Sequence, residues 1–134
     1  MNFDIHRSEK EGIVILALKG RLIVGEPSVR VREAINQEIA HQRTRIILDL
    51  GDVDYIDSTG LGSMVICYTS LQKAGGALKL LKLNRRNIEL LLLTKLSTIF
   101  EIFADEQDAI NSFFPEREIK RFDILSFVQE QKES

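Results

Sequence analysis

A short run of carboxyl, hydroxyl and glycine residues near the middle of the chain is the part of the sequence best suited to chemistry. Asp57, Ser58 and Thr59 stand together, and glycines follow at positions 60 and 62. An Asp or Ser at a helix start accepts hydrogen bonds from N–H groups that the first turn leaves unpaired. A phosphate on Ser58 would add about −1.5 to −2 charge, which a helix N-terminus tolerates. The run therefore predicts either a plain helix cap or a phosphorylation site.

The residues after Ser58 predict a helix with two different faces. Leu61, Met64, Tyr68 and Leu71, together with Val65, recur at helical spacing and should face the core. The opposite face has small side chains and a single large apolar residue, which is typical of a surface that receives another protein. Its residues are Gly62, Ser63, Ile66, Thr69, Ser70 and Lys73. Negative charge at the start of this helix would weaken such binding without unfolding the domain.

Other kinds of chemistry have little support in the residue pattern. A serine hydrolase needs a nearby base and usually a Gly-x-Ser-x-Gly turn, which Ser58 lacks. His6 and His41 are far apart and neither belongs to a histidine pair, so we interpret both as surface residues. A single cysteine, Cys67, excludes an internal disulfide and a cysteine-rich metal site. We therefore expect a protein that is not an enzyme and uses no metal or cofactor.

A small basic cluster lies where the helix predicted from Asn84 begins. It consists of Lys82, Arg85 and Arg86. One interpretation is a solvated helix start, and the other is a contact with an acidic partner or a phosphate. The sequence pattern leaves both open.

Composition and charge narrow the class of protein. The 134 residues fit one ordinary domain, and an apolar fraction of 44% is enough for a core. The net charge is −2, and basic and acidic residues are mixed along the chain without a long basic stripe, which argues against direct nucleic-acid binding. No apolar run approaches the roughly 18 residues of a membrane span, and the first residues do not have the pattern of a signal peptide. We expect a cytoplasmic protein without membrane insertion, or one that another component holds at the cytosolic face of a membrane.

Strand and helix patterns alternate along the chain, which predicts an α/β fold with a mainly parallel sheet of about four to five strands flanked by about four helices. The predicted strands are 3–8, 13–18 with its end at Gly20, 45–50, 77–83 and 99–103. The predicted helices are 25–41, 58 to a stop at the glycines 75–76, 84–96 and 105–114. Residues 51–57 are interpreted as a loop.

The last twenty residues are predicted to stand apart from the domain. We assign residues 1–114 to the domain and 115–134 to a C-terminal extension. Apolar residues recur about every three positions in 116–130, which favours a helix over a strand. We expect the extension to cover the domain or to contact a partner.

The stretch 49–62, which ends in Asp-Ser-Thr-Gly-Leu-Gly, resembles the signature of the STAS domain family and, within it, of the bacterial anti-sigma factor antagonists. The flanking segments agree, with Gly20 after a buried strand, glycines at 75–76 and Phe-Glu-Ile-Phe at 100–103. The resemblance extends over about residues 3–114. It implies the STAS fold.

The resemblance also implies a switch. In such proteins a serine kinase that is also an anti-sigma factor phosphorylates the position that matches Ser58. The unphosphorylated chain would bind the anti-sigma factor, which then releases its sigma factor, and a PP2C-type phosphatase would restore binding. Homo-oligomerisation is left open. The expected partner-binding residues are Asp57, Thr59, Gly60, Leu61, Gly62, Ser63 and Ile66.

One segment departs from the family pattern. Antagonists often carry an acidic residue two positions after the glycine that matches Gly20, where this chain has Leu22. An alternative function is a non-switching STAS subunit of a lipid transport ATPase or of a stress-sensing assembly, which would use the same helix face as a permanent dock. Phosphate on Ser58 after incubation with the kinase and ATP would distinguish the two functions.

Overall fold

The computed structural model describes residues 2–133, and the side chains of residues 2–130. Over these residues, five strands form one sheet in the order β1-β2-β3-β4-β5. β1 pairs with β2 in the antiparallel sense, and every other neighbouring pair is parallel. The mainly parallel sheet is therefore confirmed. The strands are β1 Asp4–Lys10, β2 Ile13–Leu22, β3 Arg45–Ile56, β4 Ala77–Leu81 and β5 Ile102–Phe103.

Helices alternate with the strands in the predicted order. The helices are α1 Glu26–Ala40, α2 Ser58–Lys73, α3 Arg85–Leu93, α4 Glu106–Asn111 and α5 Ile124–Glu133. α3 and α4 are shorter than predicted. A 3-10 turn, Leu96–Thr98, follows α3, and the last strand, β5, begins at Ile102 instead of residue 99. The helix expected in the extension is present as α5, whereas residues 116–123 contain no helix.

The central strands are apolar on both sides because helices cover both faces of the sheet. In β3, Ile46, Leu48 and Leu50 belong to a buried cluster that contains residues of α1, α2 and α3. Ile47 lies on the other face, in a second cluster with Ala109 of α4. This two-sided burial explains the continuous apolar runs in the sequence.

β2 and β3 are both longer than predicted. The two strands keep pairing beyond residues 18 and 50, with Gly20 opposite Val53 and Leu22 opposite Ile56. The interpretation of 51–57 as a loop is therefore wrong, and so is the end of β2 at Gly20. Asp52 and neighbouring acidic residues disfavour a strand on propensity, but pairing with β2 overrides it. The longer β3 ends immediately before Asp57.

The C-terminal segment packs against the edge of the sheet and the core. The Phe122 N–H donates to the carbonyl of Ile102 in β5 at 3.1 Å. Arg121 pairs with Glu101 at 3.0 Å, and Phe127 of α5 is buried in the larger cluster. Phe127 therefore lies on the same side of the sheet as α3, whereas Ile119 packs against the cluster on the other side.

Candidate functional site

Asp57 is the N-cap of α2 and connects three parts of the backbone. Its Oδ1 accepts a hydrogen bond from the Gly60 N–H at 2.7 Å. Its Oδ2 accepts one from the Val24 N–H at 2.9 Å, in the loop between β2 and α1. The Asp57 N–H itself donates to the Leu22 carbonyl at 3.2 Å. The residue therefore fixes the first turn of α2 against the end of β2 and the loop that follows it.

Ser58 and Thr59 are exposed at the start of α2. Neither hydroxyl has a hydrogen-bond partner within the part of the chain that the structure describes. Backbone N–H groups of the first helical turn lie beside them and lack acceptors inside the helix. A modifying enzyme can therefore reach the Ser58 oxygen, and an anion added there would meet a favourable helix end.

One side of α2 presents an exposed stripe of mostly small residues. Ile66 is the large apolar member and is 52% exposed. A Cβ added at Gly62 would have no heavy atom within 4 Å, so the surface above this glycine is open. We call this surface the α2 stripe. Its residues are Thr59, Gly62, Ile66, Thr69 and Lys73, all exposed.

Ser63 does not belong to the α2 stripe. It is 3% exposed, one helical turn before the buried Cys67, whose thiol feels the charge of Arg32 in α1. The prediction that Ser63 shares the exposed face is wrong because this side of α2 packs against α1. Burial also raises the pKa of the Cys67 thiol to about 11, which disfavours a reactive thiolate.

Gly60 and Leu61 lie beneath the site rather than on it. Both are buried. A Cβ on Gly60 would lie 2.1 Å from the carbonyl oxygen of Leu22, so only glycine allows β2 and α2 to approach this closely. These two residues hold the start of α2 in place and are not available to a partner.

A groove of about 370 Å³ lies between the start of α2 and α3. Ser58 and Tyr55 line one side of it, and Arg86, Leu90 and Leu93 of α3 line the other. The Arg86 guanidinium lies 5.4 Å from the centroid of the Tyr55 ring. Leu93 is 84% exposed. Sequence analysis identified Arg86 in the basic cluster but missed the groove.

Two asparagines fix α3 against the end of β3. Asn84 caps α3 through its side chain, which accepts from the Asn87 N–H at 2.8 Å. The side-chain amides of both donate to the Val53 carbonyl, at 3.2 Å and 3.0 Å. Arg86 lies between these two anchors, so its backbone position relative to the end of β3 is set.

The remaining candidates do not form a second site. His6 and His41 are both exposed. Over the residues that the structure describes, no three His, Cys, Asp or Glu side chains group as metal ligands. Among the same residues, none of the helices has the length and apolar character needed to cross a bilayer.

Comparison with known proteins gives consistent matches. The STAS domain family model matches residues 4–109. The chain is 33% identical over 110 residues to the anti-sigma-B factor antagonist of Bacillus subtilis (strain 168), which covers 82% of this chain and 99% of the relative.

Solved structures agree in fold. A putative anti-sigma factor antagonist from Thermotoga maritima superimposes with a TM-score of 0.76 at 27% identity, covering 81% of this chain and 92% of the other. The Bacillus cell fate determinant SpoIIAA in its phosphorylated form has a TM-score of 0.64 at 21% identity, covering 84% and 99%. The second likeness concerns the fold alone.

Proposed function

The chain belongs to the STAS domain family, and we propose that it acts as an anti-sigma factor antagonist whose binding is switched by phosphorylation of Ser58. The unphosphorylated chain binds an anti-sigma factor, which then releases its sigma factor. The anti-sigma factor is also the serine kinase that modifies Ser58, and a PP2C-type phosphatase reverses the modification. The chain is thus a binding protein and not an enzyme.

Sequence similarity to named relatives supports the proposal that the chain is an anti-sigma factor antagonist. The relatives with 32–33% identity share the name anti-sigma-B factor antagonist, and the chain covers 90–99% of their length. The structural neighbour SpoIIAA exists in a phosphorylated form. A small domain of the same fold can therefore carry a phosphate, which supports the proposed switch.

The exposed Ser58 hydroxyl at the start of the α2 stripe is the single observation that carries the switch. Ser58 is exposed and its hydroxyl has no hydrogen-bond partner among the described residues, and the cap made by Asp57 already holds the first turn of α2 through Gly60. A phosphate therefore adds charge without removing a contact that stabilises the fold. A partner packed on the stripe would meet this charge directly. A loss of about 2.7 kcal/mol of binding free energy would weaken the complex about a hundredfold.

The residues around Ser58 have different roles in this proposal. Thr59, Gly62 and Ile66 of the α2 stripe contact the partner. Asp57 acts indirectly, since both its carboxylate oxygens already accept backbone hydrogen bonds. Val24, which is 63% exposed beside Asp57, extends the contact surface onto the loop before α1.

We also place the action of the protein in the cytoplasm, where a sigma factor and its regulators meet. The division into a domain of residues 1–114 and an extension of residues 115–134 remains part of the proposal. Removal of the extension would remove Phe127 from the larger buried cluster and expose the core residues that it covers. We therefore expect the extension to support folding as well as any partner contact.

A phosphorylation assay tests the proposed switch. The chain is incubated with ATP, Mg²⁺ and the serine-kinase anti-sigma factors of its source organism, and the modified residue is located by mass spectrometry. We expect one phosphate on Ser58 and none on Ser58→Ala. In Thr59→Ala, which changes a proposed contact residue, any phosphate that is incorporated should still be located on Ser58. An unmodified Ser58 together with stable co-purification of a transporter subunit would instead favour a non-switching role.

A second variant tests the docking surface. Gly62→Arg places a large charged side chain on open surface, so we expect it to fold and to lose binding to the anti-sigma factor. Gln37→Arg, on the exposed side of α1, is the matched control and should bind normally. Normal binding by Gly62→Arg would exclude the α2 stripe as the interface.

A further inference from the structure

We propose that Arg86 of α3 binds the phosphate of phosphorylated Ser58, an inference that rests on the proposed function for the origin of that phosphate. The contact would join the start of α2 to the start of α3 across the groove beside Tyr55. It would give the phosphorylated chain an ion pair that the unphosphorylated chain lacks.

The two residues face the same groove from opposite sides. The start of α3 is held in this position, because the side-chain amides of Asn84 and Asn87 donate hydrogen bonds to the carbonyl of Val53. β3 continues from Val53 to Ile56 and leads directly into the cap of α2. The distance between Ser58 and Arg86 is therefore set by short, hydrogen-bonded connections.

Arg86 has its donors available. Across residues 2–130, Arg86 has no carboxylate within salt-bridge distance, and its recorded contact is the face of the Tyr55 ring at 5.4 Å. Stacking on an aromatic ring orients a guanidinium while its N–H groups stay free to donate. Four arginines elsewhere, by contrast, are paired with glutamates, as Arg7–Glu38, Arg43–Glu38, Arg117–Glu11 and Arg121–Glu101.

Among the charged residues that line the groove, Arg86 is the one that would attract a phosphate. Asp57 and Glu89 contribute negative charge to the lining, and Arg86 is the cation among the lining residues that the structure describes. A phosphate beside Asp57 would be repelled by that carboxylate and drawn toward the guanidinium. Arginine suits this role because its planar N–H groups can donate two parallel hydrogen bonds to phosphate oxygens.

The second pKa of the phosphoserine reports the contact directly. Phosphoserine is incorporated at position 58 of the full chain by genetic encoding, and the pKa is measured by a ³¹P NMR titration. This pKa is ordinarily about 6. A nearby cation lowers it and nearby carboxylates raise it, so we expect it in the native background to be at least about half a pH unit lower than in Arg86→Gln.

Arg85→Gln is the matched control. It removes the same charge from the same turn of α3, but the Arg85 guanidinium lies over the Phe127 ring, 6.0 Å from its centroid. We expect Arg85→Gln to leave the phosphate pKa unchanged, and Arg86→Lys to retain part of the lowering. Equal pKa values in the native and Arg86→Gln backgrounds would overturn the proposal, as would an equal rise in both glutamine variants.

A second measurement covers the case in which Arg86→Gln disturbs the fold. The ¹⁵N resonance of Arg86 Nε is compared in the phosphorylated and unphosphorylated chains, with no substitution on α3. A shift at Arg86 larger than that at Arg85 supports the contact, and no shift overturns it. Because the phosphate is introduced genetically, failure of the kinase assay would refute the proposed switch without affecting this test.

Discussion

The side chain of Asp57 holds the backbone N–H of Val24 at 2.9 Å, although the two residues are 33 positions apart in sequence. Pairing of Leu22 with Ile56 at the ends of β2 and β3 brings the two segments together. The same carboxylate caps α2 at Gly60. Asp57 thus fixes the position of Ser58, because its two carboxylate oxygens bind the loop after β2 and the first turn of α2.

Loss of the Asp57 carboxylate should loosen this arrangement. In Asp57→Ala the N–H groups of Gly60 and Val24 both lose their acceptor, and we expect the free energy of unfolding to fall by about 1–2 kcal/mol. Asp57→Asn keeps one side-chain oxygen that can accept from one of these N–H groups, so its free energy of unfolding should fall by less. Urea denaturation measures both. An unchanged stability of Asp57→Ala would show that the cap contributes nothing.

Alanine in place of Gly60 should lower the free energy of unfolding, whereas alanine in place of Gly62 should raise it. Gly60→Ala places a methyl group 2.1 Å from the Leu22 carbonyl oxygen, and such overpacking costs about 1–3 kcal/mol. Gly62→Ala meets no atom within 4 Å and should raise the unfolding free energy by up to about 1 kcal/mol, through helix propensity. Thermal unfolding of the two variants checks this, and a Gly60→Ala protein as stable as the native one would contradict the packing described.

Acid should destabilise the protein partly through Glu38. This carboxylate is 4% exposed, and hydrogen bonds from Arg7 at 2.7 Å and from Arg43 at 2.6 Å hold its pKa below the ordinary value, Arg7 contributing most. A lowered folded-state pKa stabilises the fold above the unfolded-state pKa, which is about 4.3 for Glu. The stabilisation is lost as the pH falls through the lower, folded-state value.

Comparison of Glu38→Gln with the native chain tests this linkage. We expect the variant to be less stable at pH 6, with a difference that shrinks as the pH is lowered toward 3. Glu33→Gln, an exposed neighbour on α1, should follow the native curve. A stability difference for Glu38→Gln that stays constant between pH 6 and pH 3 would exclude the ion pair as its cause.

Local signals in the sequence predict the ends of α2 well. The helix begins at Ser58 after its Asp cap, as expected. It ends at Lys73, just before Gly75, which has a φ of +81°, and the Gly76 N–H donates to the Leu71 carbonyl at 2.8 Å. Such caps depend on residues a few positions apart, so the sequence contains the information needed to predict them.

Features that depend on distant contacts were not predictable in this way. The second half of β3 exists because it pairs with β2. Its acidic residues have low strand propensity, so the sequence alone does not indicate the pairing. Ser63 is buried because α2 packs against α1 in addition to the sheet, which a single apolar stripe does not reveal. The groove between Ser58 and Arg86 depends on hydrogen bonds from α3 to Val53, over 30 positions away in sequence.

The most direct test of the central claim is the affinity of the anti-sigma factor for the unphosphorylated chain and for the same chain phosphorylated on Ser58, measured by isothermal titration calorimetry. We expect phosphorylation to weaken binding by about a hundredfold or more, equivalent to about 2.7 kcal/mol, while the melting temperature of the free chain stays nearly constant. Equal affinities, or a loss of binding accompanied by unfolding of the phosphorylated chain, would contradict the switch.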